Sequence, residues 1–126
     1  MVKYRFLAAE SMSLARLLLL GSVLAVVQVL VGVDMFMRGW QLVWLHIGIA
    51  VVLLVILLAC IPLSRGSGRV RRHVIITLAL LLIQGAVGLD MFMRGDGGIR
   101  EVMHWIFGFA TLGSYIGTAS IARRHS

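Results

Sequence analysis

The chain has 126 residues, 60% of them apolar and only 13% charged, and a mean hydropathy of +1.01. A water-soluble domain of this length carries far more polar surface, so that class is excluded. The net charge of +7 does not indicate a nucleic-acid partner, because the basic residues collect at one set of ends of four apolar runs.

Lys3 and Arg5 precede the first run, about residues 17–33. That arrangement is also found in a secretory signal, but the run is one half of an internal repeat, which argues against its removal. The second run, about 47–63, contains Cys60, the single cysteine. Without a partner it forms no intramolecular disulfide and reads as a small packing residue. A Gly-Ser-Arg-rich stretch, 64–69, links it to the third run, about 74–89, and the fourth spans about 102–121. With its flanks, each run is long enough to cross a hydrocarbon layer of roughly 30 Å as a helix. In lipid the backbone must satisfy its own polar groups, which leaves helix as the state of each run. The expected architecture is an all-α integral membrane protein. One domain, 1–126, forms a four-transmembrane-helix bundle from two parallel helical hairpins, about 8–63 and 68–123.

Charge sets the expected orientation. Lys3, Arg5, Arg16, Arg65, Arg69, Arg71, Arg72, Arg123 and Arg124 fall on one side of a four-span arrangement. Arg38, Arg94 and Arg100 fall on the other, beside Asp34, Asp90, Asp96 and Glu101. The positive-inside rule then predicts a multi-pass protein of a prokaryotic plasma membrane with both termini cytoplasmic. The basic side is also suited to anionic lipid head groups.

The hairpins share a nearly duplicated segment. Residues 28–39 read QVLVGVDMFMRG and residues 84–95 read QGAVGLDMFMRG. One histidine follows each copy inside an apolar run, His46 and His104. Two additional loop residues near Asp96, Gly97 and Gly98 account for the wider spacing of the histidines. Gly32 lies seven residues before Gly39 and His46 seven after it, so both sit roughly 10 Å beneath the loop. Gly88 and His104 occupy the same layer in the second hairpin.

Two imidazoles at matched depth on equivalent helices can ligate a haem iron from opposite faces. Intramembrane ionisable groups are rare and usually functional, and neutral imidazole is the ligating form. Against this stands hydrogen bonding of each histidine to a neighbouring carbonyl. Gly32 and Gly88 are expected to let the flat macrocycle approach the backbone, although glycines also mark close packing of membrane helices. Gln28 and Gln84 share a face with those glycines and are expected to hydrogen-bond to each other or to the site. Haem b is the expected cofactor, with haem O or haem A as alternatives.

At the outer rim Asp34 and Arg38 are spaced i, i+4, as are Asp90 and Arg94. They form helix-end ion pairs or hold haem propionates. Glu101, three residues before His104, is a first-turn acid or a proton carrier and the one catalytic candidate. Met35, Met37, Met91 and Met93 are expected to pack, with only one of each pair facing inward. Trp40, Trp44 and Trp105 read as an interfacial belt; cofactor stacking is the weaker alternative for Trp40, at the loop, and stays open for Trp105, beside His104. His73 and His125 read as interfacial residues.

Gln-x-x-x-Gly closing one helix and histidine early in the next, given twice over four spans, resembles one half of the haem A synthase family. The resemblance implies a four-helix haem unit with His46 and His104 as axial ligands. Glu101-Val-Met-His104 is also similar to that family's Glu-x-x-His, where the acid is linked to catalysis. The family's catalytic unit carries that motif in its second helix, where this chain has Val43, and its frequent extracellular cysteine pair is absent. The resemblance therefore favours fold and haem binding over haem hydroxylation. Three functions are expected in order. The first is a b-type membrane cytochrome moving electrons from quinol or another membrane donor to an outer acceptor. The second is a compact enzyme modifying haem O. The third is a small transporter or channel that requires homo-oligomers.

Overall fold

A computed structural model describes the main chain of residues 2–95 and 97–124 and the side chains of residues 13–95 and 97–124. The side chains of Lys3 and Arg5, together with Asp96 and His125, therefore lie outside the described residues. Four helices account for nearly everything described: α1, Val2–Arg38; α2, Val43–Leu63; α3, Gly68–Arg94; and α4, Ile99–Arg124. A single 3₁₀ turn, Trp40–Leu42, precedes α2.

The helices outrun the apolar stretches at both ends, because an intrahelical ladder continues through polar residues until something stops it. The stop comes at the same place in both copies of the duplicated segment. Gly39 has φ 88° and Gly95 φ 87°, a left-handed conformation that a Cβ disfavours. The lower connection is shorter than its composition suggests. α2 ends at Leu63, Ser67 accepts a hydrogen bond from the Val70 amide through Oγ at 3.4 Å, and Gly68 and Arg69 already belong to α3.

Connections this short make chain neighbours antiparallel. Each helix packs on the next, and α4 closes the ring against α1. α2 and α3 are the least extensively packed neighbours, while α1 and α3, like α2 and α4, face each other across the diagonals without backbone contact. The upper end carries the Trp40–Leu42 turn and the 95–98 connection. The lower end carries the 64–67 turn.

Below mid-height the core is filled. Leu18, Leu53, Leu57, Cys60, Val74 and Tyr115 are essentially inaccessible. The Tyr115 ring lies against Gly21 of α1, and its hydroxyl donates to the Leu53 carbonyl of α2 at 2.6 Å. One side chain thus ties α4 to both other partners in the lower core. Nearby, Thr77 Oγ1 of α3 pairs with Ser114 Oγ at 2.6 Å and Thr118 Oγ1 at 3.2 Å on α4. Such hydroxyl pairs stabilise helix contacts where packing has no hydrophobic contrast with its surroundings. Tyr115→Phe is expected to lower stability by about 1 kcal/mol and Tyr115→Ala by about 3–5 kcal/mol, the second through the void it leaves. Equilibrium unfolding in mixed micelles measures both.

All four helices are long and apolar enough to cross a membrane. Their outward faces show Leu30, Val55, Leu82 and Ile106, each more than half exposed. Apolar surface this continuous is an aggregation hazard in water.

Candidate functional site

Above the filled core the bundle opens into a cavity of about 600 Å³ lined by all four helices. Both copies of the duplicated segment face it. Gln28 and Gly32 of α1 and Gln84 and Gly88 of α3 line it, as do His46 of α2 and His104 of α4. The helical period explains this, since positions 28, 32, 35 and 39, like 84, 88 and 91, recur on one stripe.

The histidines meet across the α2–α4 diagonal. Their ring centres are 6.1 Å apart and their planes are inclined by 55°. Nδ1 of each ring is buried and has no hydrogen-bond partner, so the nitrogen left in contact with the cavity is Nε2. Two imidazoles on opposite sides of one metal, each about 2 Å from it, place their ring centres about 6 Å apart. The separation therefore fits a shared metal. Among the described residues no group of three or more His, Cys, Asp or Glu side chains could hold a bare ion. Two imidazoles suit a metal whose other donors come with it, which is the chemistry of a metallated macrocycle.

The glycines differ from expectation in what they accommodate. A Cβ on Gly88 would lie 2.9 Å from His104 Cε1, and one on Gly32 would lie 3.3 Å from His46 Cε1. Each glycine first makes room for the imidazole of its own hairpin, because the histidine lies flat against the neighbouring helix. The glutamines also differ. Both are buried, Gln28 at 5% and Gln84 at 8% exposure, but neither side-chain amide bonds to the other or to a histidine; the backbone carbonyls of Gln28 and Gln84 are what face His46 and His104. Gln28 Oε1 has no partner, and the Gln84 amide rests beside Gly108, whose added Cβ would sit 3.2 Å from Nε2.

The rim charges form ion pairs. Arg38 Nε lies 3.0 Å from Asp34, and Arg94 Nε 3.2 Å from Asp90. Both arginine side chains are 75% exposed, and neither lines the cavity. Arg100, which sequence reasoning gave no role, reaches from α4 to Asp90 at 3.3 Å. Glu101 does line the cavity, one turn above His104. It forms no ion pair with any described residue.

Of the methionines, Met35 and Met91 face the cavity, while Met37 and Met93 are each 74% exposed. The tryptophans are more involved than a belt requires. Trp105 meets Phe36 edge-on at 6.1 Å and stacks on Phe109 at 6.0 Å. Trp40 and Trp44 both contact Phe92, at 6.0 and 6.1 Å. Trp40 and Trp105 line the cavity, and Trp44 points away from it. His73 takes no part in the site, and its carbonyl accepts from Thr77 Oγ1 at 2.8 Å. Tyr115 went unnoticed in the sequence, although a phenol within an apolar helix calls for a buried acceptor.

Compared with known proteins, the chain matches no family model, no curated protein and no solved structure.

Proposed function

We propose that this chain is a b-type membrane cytochrome that holds one haem between His46 and His104 and passes electrons from a membrane donor such as quinol to an acceptor at the outer face. The observation that carries the reading is the 6.1 Å pairing of two imidazoles with unpartnered Nδ1 atoms inside a largely apolar cavity. The four helices cross a prokaryotic plasma membrane as two parallel hairpins related about the membrane normal. The basic lower end and both termini lie in the cytoplasm.

His46 and His104 would hold the haem iron, and Gly32 and Gly88 leave room for their rings. The cavity lining is largely apolar, and neutral imidazole is the form that ligates. When bound, the haem supplies one-electron chemistry, and two nitrogen ligands leave no open position for oxygen. Arg38 and Arg94 are engaged with Asp34 and Asp90, so they reach propionates only by leaving those pairs. Oxidised and reduced absorption spectra of the purified protein test the proposal. A red protein with a sharp low-spin reduced spectrum is expected. Colourless protein from haem-replete cells overturns it, and substrate-dependent flux in vesicles would then indicate a transporter.

A second reading is a compact enzyme related to haem A synthase, with haem O as substrate. Glu101, which lines the cavity one turn from His104, favours it. During co-expression with a haem O source, this reading predicts conversion to haem A by the natural chain. Glu101→Gln should lower the yield by about 10²-fold or more while haem remains bound. Unchanged haem O in the natural chain counts against an enzyme and leaves the cytochrome reading intact.

A further inference from the structure

The cavity runs between the hairpins and reaches both seams of the bundle, but the seams differ. Aromatic rings close the α1–α4 seam, where Phe36 lies edge-on to Trp105 and Trp105 stacks on Phe109. At the α2–α3 seam, rings close only the top, where Phe92 meets Trp40 and Trp44. Beneath them the lining of α2 and α3 has Ala50, Val51, Gly85 and Ala86 in a band one turn high, between the bulkier Ile47 and Leu89 above and Leu54 and Leu82 below. Gly85, Ala86 and Val51 are exposed and line the cavity. A Cβ added to Gly85 would meet nothing within 4 Å. This is also the seam with the least extensive helix contact.

The sequence repeat sharpens the contrast. At the repeat offsets, Gly85 and Ala86 correspond to Val29 and Leu30, and Val51 corresponds to Phe109. At these three positions bulk present at one seam is missing at the other, whereas Ala50 corresponds to the smaller Gly108. The band lies one helical turn below the histidines, level with Gln28, which lines the cavity and whose buried Oε1 has no partner. Small residues at this level leave little side-chain cover over the largely apolar cavity.

We propose that the α2–α3 seam is the lateral entrance of the cavity, through which a planar tetrapyrrole passes from the bilayer to lie between His46 and His104, framed by Ala50, Gly85 and Ala86. The proposal rests on the haem reading of the two-histidine site. It assigns the membrane, rather than the aqueous face, as the side from which haem is delivered. A flat apolar ring partitions into lipid, and a gap at one seam admits it edge-first without parting the helices of either hairpin.

The test uses the full chain, made without haem and reconstituted in vesicles, with haem b supplied from a second population of haem-loaded vesicles. Growth of the bound-haem absorption band reports loading. Wild type and Gly113→Leu are expected to load alike, since Gly113 is exposed, lies away from the cavity and also has open space at its Cβ. Gly85→Leu is expected to load about tenfold more slowly and to reach the same final spectrum. A second variant, Gly85→Cys, is blocked after folding with a bulky maleimide, Cys60 being fully buried. Label added before haem should slow loading, and label added afterwards should leave the spectrum unchanged. Loading of Gly85→Leu and of the labelled protein at the wild-type rate overturns the lateral entrance and leaves the haem reading standing. No haem uptake by wild type overturns the haem reading itself.

Discussion

His46→Ala and His104→Ala are each expected to reduce bound low-spin haem to less than about a tenth of the wild-type level. The two rings face each other at 6.1 Å from helices that make no backbone contact, so no other described imidazole can replace a lost one. His73 is near the lower end of α3, several turns away. The variants should still fold, because the lower core around Tyr115 is independent of the cavity. Free imidazole should restore the spectrum by occupying the space left by the truncated ring. Haem content, the reduced spectrum and imidazole titration are the readouts. Retention of a full wild-type spectrum by either alanine variant would remove that histidine from the ligand set. Failure of imidazole rescue in a folded variant would point to a packing role.

The second large effect is expected at Gly88. A Cβ there lies 2.9 Å from His104 Cε1, closer than Cβ atoms come to other groups, and 3.3 Å from Nδ1. Because the backbone of α3 is held in the bundle, the imidazole is what shifts. Gly88→Ala is therefore expected to weaken haem binding about tenfold or more, in the range seen when groups that orient a metal ligand are changed. Gly32→Ala has 3.3 Å at its closest contact and should have a smaller effect. Gly85→Ala, with nothing within 4 Å of its Cβ, should have almost none. Haem transfer to an apoprotein acceptor gives the ranking directly. Equal release rates for the Gly88 and Gly85 alanine variants would separate the Gly88–His104 contact from haem affinity.

Much of this arrangement was legible in the sequence because two periodicities carry it. Runs of apolar residues fix four helices, since a backbone in hydrocarbon has no other way to satisfy its polar groups. The stripe 28, 32, 35, 39 and its copy at 84, 88, 91, 95 fix which residues share a face. Counting residues from Gly39 and Gly95 placed the histidines at one depth. The inward turn of Met35 and Met91 and the outward turn of Met37 and Met93 follow from the same period. The Asp34–Arg38 and Asp90–Arg94 pairs were legible for the same reason.

Other features depend on contacts between residues far apart in the chain. Local spacing does not specify that Gly32 and Gly88 receive imidazoles, because that depends on how the helices of a hairpin rotate about their axes. The link from Arg100 to Asp90 depends on the path of the 95–98 connection. Tyr115 donates across the bundle to Leu53, 62 residues away, and nothing adjacent to either residue signals that bond.

The sequence by itself determined four apolar helices, their breaks at Gly39 and Gly95, and two histidines at equal depth, because hydrogen-bond geometry and helical rise act within a segment. Only the tertiary structure decided that α2 and α4 face each other across a diagonal, that the upper half is hollow while Tyr115 fills the lower half, and that Trp105 stacks on Phe109 at one seam where Gly85 and Ala86 line the other. Those outcomes arise from side-chain volume competing for shared space between helices, a quantity defined only once the helices have packed.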